Sequence, residues 1–103
     1  MVFTLFCTNG KRYTSDLGNC RELLVIDVDS KTIADKISID KNDKTTILYI
    51  IEDLVEKYDP YVLFICGISE EELLYIEESG IKVYVTKCVQ INKLLEDIYG
   101  FRV

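Results

Sequence analysis

The hydrophobic pattern of the chain changes period near residue 40. Before it, apolar residues alternate with polar ones or run in short blocks. After it, stretches of helical spacing separate such blocks. Val2 to Thr8 is apolar and rich in strand formers, and Asn9-Gly10 closes it with turn chemistry. Residues 9–19 (NGKRYTSDLGN) read as a polar loop. Arg21 to Val28 (RELLVIDV) reads as a strand, Asp29-Ser30-Lys31 as a turn, and Thr32 to Ile39 as an edge strand with one solvated face. From Thr45 onward, Ile47, Leu48, Ile50, Ile51, Leu54, Val55 and Tyr58 recur at the spacing of one helix face. Asp43 or Thr45 is placed to cap that helix, and Tyr58-Asp59-Pro60 to end it, because the residue before proline avoids the α region.

The second half repeats strand and helix. Tyr61 to Cys66 (YVLFIC) is continuously apolar, as a strand buried on both faces requires. Gly67 marks a turn. Ser69 followed by Glu72 forms a capping box, and Glu70, Glu71 and Glu72 sit where the helix dipole favours negative charge. The helix stops at Gly80. Ile81 to Val85 is the last strand, and Gln90 to Tyr99 the last helix, with Ile91, Leu94, Leu95 and Ile98 expected inward. The order βββαβαβα in one domain over residues 1–103 predicts an α/β fold. Two antiparallel hairpin steps and two right-handed parallel crossovers give a five-stranded mixed sheet, order 3-2-1-4-5, flanked by three helices. That is ribonuclease H-like topology.

Composition narrows the chemistry. The formal net charge of −6 opposes binding to nucleic acid or to an anionic membrane surface, and no apolar run is long enough to span a bilayer. The N-terminal residues lack the basic region and cleavage site of a signal peptide, so a cytoplasmic location is expected. There, thiols ordinarily stay reduced. The chain has no histidine, which removes the commonest general base. No nucleophile–base pair, paired acids or nucleotide motif stands out, and strand one carries no carboxylate for two-metal nuclease chemistry. A non-catalytic protein is expected.

Three stretches resemble the dinitrogenase iron–molybdenum cofactor biosynthesis family: DLGNCRELLVIDVD, DPYVLFICGI and ESGIKVYV. With the length and element order, the resemblance covers nearly the whole chain. It implies a divergent member, and a small binding or carrier protein for an iron–sulfur or iron–molybdenum-type cluster or its precursor. The chain departs from the family pattern in lacking histidine and in carrying Cys66 and Ser69 where glycines are usual. Those departures suit an alternative role, a protein–protein interaction module that has lost the ligand and pairs through strand 32–39, with a partner protein or as a homodimer.

The four cysteines focus that expectation. Cys7, Cys20, Cys66 and Cys88 show no CxxC spacing. On the predicted sheet all four fall at the edge formed by the carboxyl ends of strands one, four and five, the edge outside which ligands of open α/β sheets bind. A thiolate-rich metal site at these four residues is one reading, with Cys20, Cys66 and Cys88 foremost. A disulfide between two of them, or burial as small apolar side chains, are the others. Gly67, Lys11, Arg12 and Arg21 border the same edge, where the three cations would hold an anionic ligand or stand as solvated loop charge.

Overall fold

The computed structural model describes residues 1–40 and 43–103. Among these residues five strands form one sheet: β1 (Phe3–Thr8), β2 (Glu22–Asp27), β3 (Thr32–Ser38), β4 (Val62–Ile65) and β5 (Lys82–Val85), in the order β3-β2-β1-β4-β5. β1 pairs antiparallel with β2 and parallel with β4, β2 pairs antiparallel with β3, and β4 pairs parallel with β5. Three helices among the described residues cover it: α1 (Lys44–Tyr58), α2 (Glu70–Glu78) and α3 (Ile91–Tyr99). The predicted topology is the observed one, and the ends of the elements differ from expectation by a residue or so.

The central strands alternate between two cores. Leu5, Cys7, Leu23, Val25, Leu63 and Ile65 pack with Ile47, Ile51 and Leu54 of α1 and Ile76 of α2. Phe6, Leu24, Ile26 and Phe64 face the other way and pack with Ile91 and Leu95 of α3. Period-2 alternation with both faces buried is why β1, β2 and β4 read as unbroken apolar runs. β3 alternates exposed with half-buried positions, as the edge reading required. Ile98, expected inward, is exposed on α3.

Local chemistry sets the boundaries. The Asp43 side chain accepts from the Thr45 amide at the start of α1. The Ser69 hydroxyl accepts from the Glu72 amide while the Glu72 carboxylate accepts from the Ser69 amide, completing the box. Asp27 accepts from the amides of Asp29 and Ser30 and so builds the β2–β3 turn. α1 ends at Asp59 in the left-handed conformation (φ 49°, ψ 52°), and its amide returns to the Val55 carbonyl. None of the helices among the described residues is long and apolar enough to cross a membrane.

Candidate functional site

The carboxyl ends of β1, β4 and β5 meet the start of β2 at one edge of the sheet, and all four cysteines lie there. The segment expected as a polar loop does not hang free above them. Residues 13–16 run across the edge in extended form, and Leu17–Asn19 make one turn of 3₁₀ helix. On one side the Ser15 amide donates to the Cys7 carbonyl, and the Ser15 carbonyl accepts from the Cys66 amide. The Leu17 amide donates to the Gly67 carbonyl. On the other side the Thr14 amide donates to the Val89 carbonyl, and the Thr14 hydroxyl donates toward the carbonyls of Lys87 and Val89. Thr14, Ser15 and Leu17 are buried in consequence. Their hydrogen-bonding groups point at backbone rather than at water, so polar composition did not mean exposure.

The cysteines fall into two pairs. Cys66 and Cys88 form a disulfide with Cα atoms 5.0 Å apart, within the usual range for the bond. Of the three readings of the cysteines, a disulfide between two of them holds for this pair. Parallel pairing of β4 with β5 brings the end of one strand beside the connection that follows the other. Cys7 and Cys20 are free thiols, both fully buried in the α1–α2 core. Cys7 Sγ lies 3.6 Å from Ser15 Oγ and 3.9 Å from the Asp16 carbonyl oxygen, so Ser15 and Asp16 cover it. Cys20 Sγ donates to the Glu22 carbonyl at 3.5 Å.

The two free thiols are neighbours and shift each other's proton affinity. Burial first, and then the neighbouring Cys20, push the Cys7 thiol well above its ordinary range. The neighbouring Cys7 pulls Cys20 down, against its own burial and with help from the backbone at Glu22 and Thr8.

The expected set of metal ligands is not assembled in this form. Cys20 stands with Cys7, not with Cys66 and Cys88, and sulfurs bonded to each other offer no thiolate. Among the described residues no group of three or more histidine, cysteine, aspartate or glutamate side chains is placed to hold a metal ion. Gly67 is where it was expected but has a packing role: a Cβ there would lie 3.2 Å from Asp16 Cβ, so the residue lets the crossing segment approach β4. Arg12 turns away from the crevice, its Nη1 donating to the Val103 carbonyl at 3.5 Å. Lys11 and Arg21 are exposed. The three cations do not converge on one point of the crevice.

One concavity at this edge is a cleft of about 260 Å³ between the crossing segment and the first turns of α1 and α2. It is lined by Asp16, Leu17, Gly67 and Ser69, with Lys44 and Glu72 forming a 3.6 Å ion pair across it. Hydrogen bonds from the Ser69 hydroxyl and amide, with Lys44, outweigh burial and hold Glu72 below the ordinary carboxylate range. Two carboxylates against one lysine make this cleft a poor seat for an anion. Sequence reasoning missed the crossing segment. Its one signal was Leu17, the single aliphatic side chain in an otherwise polar stretch.

Fold and edge together define the class: a small α/β protein of ribonuclease H-like topology whose sheet edge carries two cysteine pairs. The chain is similar to a solved protein designated PH0822, with a TM-score of 0.65 and 10% identity, covering 96% of this chain and 91% of that one. At that identity the likeness is one of fold. No protein-family model matches the chain, and no curated protein is similar to it in sequence.

Proposed function

We propose that this is a small non-catalytic binding or carrier protein whose working face is the carboxyl edge of the sheet, taking a metal–sulfur cluster or its precursor as cargo in its reduced state. The observation that carries the reading is the gathering of Cys7, Cys20, Cys66 and Cys88 at one edge, from four separate parts of the chain. Soft metals and iron–sulfur units are held by thiolates, and reduction of the disulfide would supply the two that the oxidised form lacks. The resemblance of three sequence stretches to the iron–molybdenum cofactor biosynthesis family supports the same role.

The test is anaerobic reconstitution of the fully reduced chain with ferrous iron and sulfide, followed by visible absorbance and iron content. Charge-transfer bands that vanish when all four cysteines are replaced by serine are expected. Identical spectra from the two proteins would sink the proposal.

A second reading is a protein–protein interaction module without cargo, with a partner protein or as a homodimer. It is favoured by residues 13–17, which fill the crevice where ligands of such sheets sit. The outer edge of β3 offers backbone for strand addition. Light scattering on the wild type, and on a variant with proline in the middle of β3, separates the two readings. A monomer that reconstitutes supports cargo binding, and a dimer abolished by the proline supports the module.

A further inference from the structure

We infer that the Cys66–Cys88 disulfide is a reducible clasp, opened by a small or protein dithiol, that controls access to the buried Cys7–Cys20 pair. Residues 14 and 15 are bracketed, with the ends of β1 and β4 on one side and residues 87–89 on the other. Cys66 belongs to the first bracket: its amide donates to the Ser15 carbonyl. Cys88 belongs to the second, between the two residues whose carbonyls receive Thr14. The disulfide joins bracket to bracket across the segment they hold. Ser15 and Asp16 are the residues that cover Cys7 Sγ. The bond therefore secures the cover of the second pair.

Exposure sets the direction of attack. Cys88 is exposed and Cys66 half-buried, so an incoming thiolate meets Cys88 first. It displaces Cys66 as a thiolate, which takes up a proton, and leaves a mixed disulfide on Cys88. The second thiol of the reductant loses its proton, attacks its own sulfur in that mixed disulfide and releases Cys88. Two electrons pass from the dithiol, which leaves as a cyclic disulfide, and the chain gains two thiols.

With the bond broken, the outer bracket is held at this point by hydrogen bonds alone. Segments with few buried apolar contacts open locally at low cost, and only Leu17 anchors residues 13–17 in the apolar core. The inference goes beyond the cargo reading and does not depend on it, since thiol reactivity needs neither iron nor sulfide.

Cysteine-resolved alkylation of the full native chain, with and without dithiothreitol, tests it. Before reduction, Cys7 and Cys20 should label only slowly. After reduction, Cys66 and Cys88 should label at once, and labelling of Cys7 and Cys20 should accelerate about tenfold or more. The C66S/C88S variant should show the fast rate without reductant. Hydrogen exchange on the wild type, reduced in the same cuvette, removes any dependence on the variant's folding: protection should fall at the Ser15, Leu17 and Cys66 amides and hold in central β2. Unchanged Cys7 labelling, or exchange that rises equally in β2 and at the edge, overturns the clasp.

Discussion

At the scale of single residues, two glycines at the same cleft carry opposite expectations. A Cβ on Gly67 would sit 3.2 Å from Asp16 Cβ, too close for both to keep their places. Asp16 is fixed through its neighbours, which bond to Cys7, Cys66 and Gly67, so it has little room to give. Gly67→Ala should cost about 1–3 kcal/mol, as overpacking does. A Cβ on Gly18 would meet the Lys44 Cε at 3.4 Å, the mobile end of a long side chain, and Asp16 Oδ2 at an ordinary 3.8 Å. Neither glycine has a positive φ, so alanine can adopt both conformations. Gly18→Ala should be neutral or stabilise by roughly 0.5 kcal/mol, because it narrows the unfolded ensemble more than it disturbs the native one. Urea melts of the two variants check the contrast, and equal effects would show that the crossing segment is not seated as described. The sequence reading saw Gly67 as a turn and a binding residue. Its real reason, close approach of a distant segment, leaves no mark in the neighbouring residues.

At the scale of elements, charge ties the edge strand to the helix behind it. The Tyr58 hydroxyl of α1 donates to the Asp35 carboxylate of β3 at 2.7 Å, and Lys57 Nζ lies 3.9 Å from the same oxygen. The Tyr58 hydrogen bond, with the Lys36 amide and Lys57, holds the Asp35 carboxyl below its ordinary range against its partial burial. A carboxyl depressed by folding stabilises the native state above its unfolded pKa, and that stability is lost as pH falls through the folded value. Asp35→Asn should thus destabilise at pH 7 by no more than about 1 kcal/mol, since the carboxylate is partly solvated. The gap between wild type and variant should close on acidification below the carboxylate range. Thermal melts across pH check it, and a gap independent of pH would assign the loss to geometry instead.

Elements of this kind were legible because their signals are local. The Ser69–Glu72 box, the period of α1 and the Asp29-Ser30-Lys31 turn each lie within a few residues of sequence. Residues 13–17 were not, because what orders them is backbone pairing with residues about fifty and seventy-five positions further on. The edge position of the cysteines followed from topology alone. Their partition into Cys7 with Cys20 and Cys66 with Cys88 did not, because it depends on which sulfurs the fold buries in the α1–α2 core.

For the whole molecule, the disulfide should act chiefly on the chain that is not folded. The cysteines are 22 residues apart in sequence, and the bond encloses α2 and β5. In the chain-entropy account, a cross-link of that span withholds about 3 kcal/mol of conformational freedom from the unfolded ensemble. The native sheet gains little from it, since β4–β5 pairing and the packing of Ile76 and Ile81 do not involve the sulfurs. The C66A/C88A protein should keep the wild-type far-ultraviolet circular dichroism and lose about 3 kcal/mol, which for a domain of this size is roughly 15 °C in Tm. Its urea m-value should rise, because the freed chain exposes more surface on unfolding. If stability falls with the m-value unchanged, the bond is acting on the native state. If neither moves, the two halves of the edge are held together without it, and the covering segment should then stay shut in reduced protein as well. The denaturation curve and the labelling of Cys7 therefore bear on one question, whether this sheet edge is closed by packing or by a bond that a dithiol can open.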